Sequence, residues 1–113
     1  MKAITDSQAE NVLSFYRDFL SAAYTRASAF TDKVAEGRAD AFMDAKRLLV
    51  AYTKSFKDGN MTASEAVNKV CYYLNSFILA VPATTSPYIK GYRTAHQATI
   101  AHLDYLIAFE ASH

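Results

Sequence analysis

Apolar residues recur along the chain at spacings of three and four, which places them on one side of a helix rather than on alternate faces of a strand. The first run reads Val12, Tyr16, Phe19, Ala23, Ala27, Phe30 and Val34, widened by Leu13 and Leu20. Ser7 with Glu10 three residues later has the form of a capping box, so a helix is expected to open there. Its end admits two readings. Gly37 suits a C-terminal cap and Asp40 a fresh start, giving helices over 7–36 and 39–57. Alternatively, Thr31-Asp32 caps the second helix and the first stops near Phe30. Gly37 then lies inside a helix at a cost of about 1 kcal/mol relative to alanine. The fresh start at Asp40 favours the first reading.

The second helix carries Phe42, Ala45, Leu49, Tyr52 and Phe56 on one stripe, supported by Leu48. Asp40 and Asp44 come early in it, and Lys46, Arg47, Lys54 and Lys57 come late, an order that suits the helix dipole. Asp58-Gly59-Asn60 turns the chain. A third helix over 62–81 opens on the capping box of Thr62 and Glu65. Val67, Val70, Cys71, Leu74, Ile78 and Val81 form its inner stripe, while Tyr72, Tyr73, Phe77 and Leu79 fall elsewhere around it. A helix that is apolar nearly all round is usually covered on several sides. Pro82 is expected to stop it. Ser86-Pro87 then starts a fourth helix over 87–111, with Tyr88 or Ile89, Tyr92, His96, Thr99 or Ile100, Leu103, Leu106 and Ile107 inward. Short links favour antiparallel neighbours, so the expected fold is one all-α domain over residues 1–113, an antiparallel four-helix bundle.

Composition agrees. Only three glycines and two prolines occur in 113 residues, too few for a chain rich in strands and turns. Twelve basic residues against eleven acidic ones leave a net charge of +1, which argues against a nucleic-acid binder, since that class concentrates a basic excess on one face. Lys46, Arg47, Lys54 and Lys57, with Lys90 and Arg93, are the best candidates for such a face. The polar N-terminus does not read as a signal peptide, and the longest apolar stretch, 77–81, is far short of the roughly 20 residues of a membrane span. A cytoplasmic location without membrane contact is expected. The single cysteine, Cys71, has no partner for an internal disulfide and reads as a buried thiol.

Candidate chemistry is thin. The segment after the second helix resembles the middle of a calcium-binding EF-hand loop. However, Phe56, Met61 and Val67 stand where that loop needs an oxygen ligand, a glycine and a bidentate glutamate. His96 and His102 are six residues apart, hence on largely opposite faces, where paired metal ligands need three or four. No metal, cofactor or catalytic residue is expected. The segment Arg93-Thr94-Ala95-His96-Gln97-Ala98-Thr99 resembles the motif of histidine phosphotransfer domains, themselves four-helix bundles with an exposed histidine. That resemblance implies phosphotransfer through His96, although Thr99 and Ile100 replace the family's usual lysine and glycine.

Aromatic residues, eight tyrosines and seven phenylalanines, change the picture more. Tyr24, Tyr72, Tyr73 and Tyr105 lie outside the best core stripes, and tyrosine is enriched at interfaces. Gly91, Ala95, Ala98, His102, Tyr105 and Phe109 form a second stripe on the fourth helix, small in its first half and aromatic in its second. It and the Tyr72, Tyr73 and Phe77 side of the third helix are the expected contact faces, for another protein or for a second copy in a homodimer. The expected function is a non-enzymatic protein-binding module acting by stoichiometric contact, such as a phage or bacterial inhibitor of a defence or toxin protein. A nucleic-acid-associated protein and a phosphotransfer bundle are the alternatives.

Overall fold

The computed structural model describes residues 4–80 and 86–112, and for residues 78–80 the backbone alone. Four helices make up the described chain: α1 Asp6–Ser28, α2 Lys33–Lys57, α3 Ala63–Ala80 and α4 Pro87–Ala111. They form an all-α four-helix bundle. The expected stop at Pro82, the link before Ser86 and the side chains of Ile78, Leu79 and Val81 lie outside the described residues.

α1 opens slightly earlier than the Ser7–Glu10 reading placed it. Thr5 is the N-cap: its hydroxyl accepts from Gln8 N at 3.1 Å, and Gln8 Oε1 accepts from Thr5 N at 2.9 Å. Ser7 and Glu10 lie inside the helix. Gln8 also donates through Nε2 to the Glu110 carbonyl at 2.8 Å, a tertiary bond that the later box lacks.

The expected helices over 7–36 and 39–57 are corrected: the break falls at Ala29–Asp32, as in the alternative reading. Asp32 caps α2 by accepting from Ala35 N at 2.9 Å. The physical reason that Gly37 sits inside α2 is tertiary. A Cβ on Gly37 would overlap the Tyr88 carbonyl oxygen and stand 2.9 Å from Tyr92 N. Gly91 is its counterpart, since a Cβ there would overlap the Val34 carbonyl oxygen. The two helices therefore meet backbone to backbone. Gly37, Ala41 and Ala45 on α2, with Gly91, Ala95 and Thr99 on α4, recur every four residues and all are buried. Glycine's helix penalty of about 1 kcal/mol is offset by close packing along this pair.

Side-chain bonds give the directions. Gln8 meets Glu110 and Tyr16 meets Thr99, so α1 runs against α4. Asp40 meets Tyr88 and Asp44 meets Tyr92, so α2 runs with α4. The most extensive helix contact is this parallel one. α2 ends as expected at Gly59, whose φ of 83° is the left-handed geometry that glycine tolerates. Gly59 N donates to Phe56 O and Asn60 N to Ser55 O, both at 3.0 Å, which is the Schellman pattern. Thr62 and Glu65 make the second capping box at the start of α3.

The core is crossed by a chain of polar bonds. Tyr16 Oη donates to the Thr99 carbonyl at 3.1 Å, Thr99 Oγ1 to the His96 carbonyl at 2.7 Å, and His96 Nε2–H to the Leu74 carbonyl at 2.7 Å. These bonds link α1, α4 and α3. Burial holds the Tyr16 hydroxyl well above its usual range, so it stays a proton donor.

Candidate protein-binding face

The second stripe of α4 divides in two. Its small half, Gly91 and Ala95, is buried under α2, so the close helix approach its residues invite is met within the chain. Its aromatic half stays at the surface. Tyr105 is 58% exposed and Phe109 42%. His102 is half-buried because it stacks face to face on Phe19 of α1, with ring centroids 3.8 Å apart. The rings continue as a row, His102 to Tyr105 at 5.8 Å and Tyr105 to Phe109 at 6.2 Å. Phe15, 50% exposed, lies one turn before Phe19 on the same side of α1.

The surroundings of this row are apolar too. Ala98, Ala101 and Ala108 of α4 are exposed on the same side as Tyr105 and Phe109. Between Thr94 and Ser112 that outer stripe carries no charged residue, and Asp104 falls off its edge. Burial lowers the His102 imidazole below its ordinary value, which keeps the ring uncharged near neutrality. The face is thus an apolar strip along α4 that joins α1 at the Phe19–His102 stack. Phe15 and Phe19 were not expected to belong to it. Phe15 lies one residue off the inward stripe of α1, and that offset was the available signal.

The α3 candidates form a smaller patch. Tyr72 is 66% exposed and packs edge-on against Tyr73 at 5.2 Å, and Tyr73 stacks on Tyr52 of α2 at 5.8 Å. Phe77 does not join them. It turns inward and leans on His96, 6.1 Å between centroids.

The expected basic face is partly neutralised. Lys54 pairs with Asp58 at 2.6 Å and Arg47 approaches Asp44 at 3.8 Å. Lys46 is half-buried, and Lys57 is exposed.

His96 is 0% exposed, with Nε2 committed to Leu74 and Nδ1 buried without a hydrogen-bond partner. The phosphotransfer resemblance implies an exposed imidazole, and this ring is enclosed by Tyr92, Phe77 and the backbone of α3. Cys71 is buried, and burial pushes its thiol up to about 11, away from the thiolate that nucleophilic chemistry needs. Among the described residues no group of three or more His, Cys, Asp or Glu side chains is placed to hold a metal ion. No described helix is long and apolar enough to cross a membrane.

Comparison with known proteins finds no matching family model, no matching curated protein and no matching solved structure.

Proposed function

We propose that this chain is a small protein-binding module that acts by stoichiometric contact rather than by catalysis, and that it meets its partner through the α1–α4 face. The observation that carries the reading is the row Phe19, His102, Tyr105 and Phe109, joined by ring contacts and left open to solvent beside Phe15. Exposed aromatics that already rest on one another lose little side-chain freedom on binding, so most of the burial energy is retained. A contiguous uncharged apolar strip on a small protein is also the kind of surface that marks an interaction site. Inhibition is the simplest use of such a module, because a rigid face that covers its partner blocks it without any chemistry.

Affinity capture from the cells that make the protein tests this. Tyr105→Ser is expected to leave the thermal midpoint within a few degrees of wild type, since Tyr105 is 58% exposed, and Phe109→Ser, at a residue 42% exposed, to lower it only a little further. Each is expected to weaken partner binding by roughly tenfold or more, the scale of a central aromatic contact. Unchanged capture by the double variant would refute the assignment.

A further inference from the structure

Beyond this face, a second site lies where α1 turns into α2. An open pocket of about 320 Å³ is lined by Ala23, Arg26 and Ala27 from α1, by Phe30 and Asp32 at the turn, and by Val34, Ala35, Arg38 and Phe42 from α2. We propose that it binds an organic anion: an acidic group, carboxylate or phosphate, carried on a flat apolar body.

Two arginines, Arg26 and Arg38, give the pocket its charge. One guanidinium comes from each helix, and among the described residues neither has an ion pair or a hydrogen bond. By contrast, the neighbouring Lys33 is neutralised by Glu36 at 3.0 Å. Arg38 is held in place, with its guanidinium 5.8 Å from the centre of the Phe42 ring, so its fork is partly ordered before any ligand arrives. A guanidinium presents paired donors that match a carboxylate or phosphate, which a lysine ammonium does not. Asp32 opposes this charge, but its Oδ1 is already committed to Ala35 N at 2.9 Å as the α2 cap. Two arginines against one aspartate leave the pocket positive.

The walls specify what the acidic group is attached to. Ala23, Ala27, Ala35 and Phe42 form an apolar lining, and Phe30 stands at the turn 65% exposed. A bare inorganic anion would leave these surfaces wet, whereas an aromatic or aliphatic body beside the acidic group covers them. The volume suits a small molecule or a single acidic side chain with its neighbour. The two sources share one chemistry, and they are separated by the probes below.

The test is titration of the isotopically labelled protein, followed by amide chemical shifts, with three probes: phenyl phosphate, the dipeptide N-acetyl-Asp-Phe-amide and inorganic phosphate. Saturable shifts centred on residues 26–38 are expected with phenyl phosphate, the dipeptide or both. Preference for the first indicates a free aromatic anion, and preference for the second an acidic segment of another protein. Inorganic phosphate is expected to bind at least about tenfold more weakly than the better organic probe. Arg38→Gln and Arg26→Gln should each weaken that probe by about tenfold while leaving the far-ultraviolet spectrum unchanged. Arg38→Lys should recover only part of the loss. No saturable shift with either organic probe, equal binding of inorganic phosphate, or indifference to both arginine variants would overturn the proposal. None of these outcomes bears on the α1–α4 face, so the two assignments stand or fall separately.

Discussion

Gly37 and Gly91 are reciprocal halves of one helix crossing: each lies against the backbone of the other's helix, Gly37 on Tyr88 and Gly91 on Val34. Their absent side chains set how near α2 comes to α4. Alanine at either position improves local helix propensity by about 1 kcal/mol. It also drives a methyl into a carbonyl oxygen, and backbone cannot step aside as a flexible side chain can. The steric term is expected to win, with a net loss of about 1–3 kcal/mol for Gly37→Ala or Gly91→Ala. Urea unfolding followed by circular dichroism measures it. Gly59→Ala is the control, since space around Gly59 is open and only its positive φ is offended. It is expected to cost about 1 kcal/mol.

This crossing also separates what the sequence encodes locally from what only the packed helices decide. Four helices, most of their inward stripes, the Thr62–Glu65 box and the Gly59 turn were legible, because each is encoded within a few consecutive residues; Phe30 and Val34, read as inward, are instead exposed where α1 turns into α2. The join between the first two helices was not legible. Gly37 has the local credentials of a helix cap, and only the nearness of Tyr88, fifty-one residues on, explains it as a helix-interior contact. The candidate face was half legible for the same reason. The small and aromatic halves of the α4 stripe are plain in sequence, but which half α2 covers depends on where the helices cross.

The carbonyl of Leu74 and the ring of His96 make a second testable contact. Because a carbonyl oxygen only accepts, Nε2 carries a proton, while Nδ1 is buried without a hydrogen-bond partner. His96→Ala removes a bond and leaves a cavity. A loss of about 2–4 kcal/mol is expected. Acetyl phosphate should not phosphorylate the folded protein at His96, by intact-mass analysis. A stoichiometric phosphohistidine would instead revive the phosphotransfer reading.

Two tyrosine–carboxylate bonds tie α4 to α2, Tyr88 to Asp40 at 2.5 Å and Tyr92 to Asp44 at 2.7 Å. The Asp40 carboxylate accepting its proton pushes Tyr88 up to about 12 from an ordinary 10.0, and burial with Asp44 raises Tyr92 as well. A folded-state value above the unfolded one means that the folded chain holds the proton more tightly. The resulting stability is full below pH 10 and is lost as pH rises toward 12. Tyr88 is only half-buried, so solvent screens the bond and its share is modest. Stability measured by urea unfolding from pH 9 to 11.5 should fall more steeply in wild type than in the Tyr88→Phe/Tyr92→Phe double variant. Parallel pH dependences would remove these bonds as the cause.

The row of rings on α1 and α4 is the surface expected to touch a partner. Site-specific photo-crosslinking in the cells that make the protein asks this directly. A benzophenone side chain is placed in turn at Phe15, Tyr105, Tyr72 and Lys57, all exposed positions. The expected result is one discrete protein adduct from positions 15 and 105, absent from 57 and 72, and lost when Phe109→Ser is added. Adducts from 57 or 72 alone, or none from 15 and 105, would contradict it.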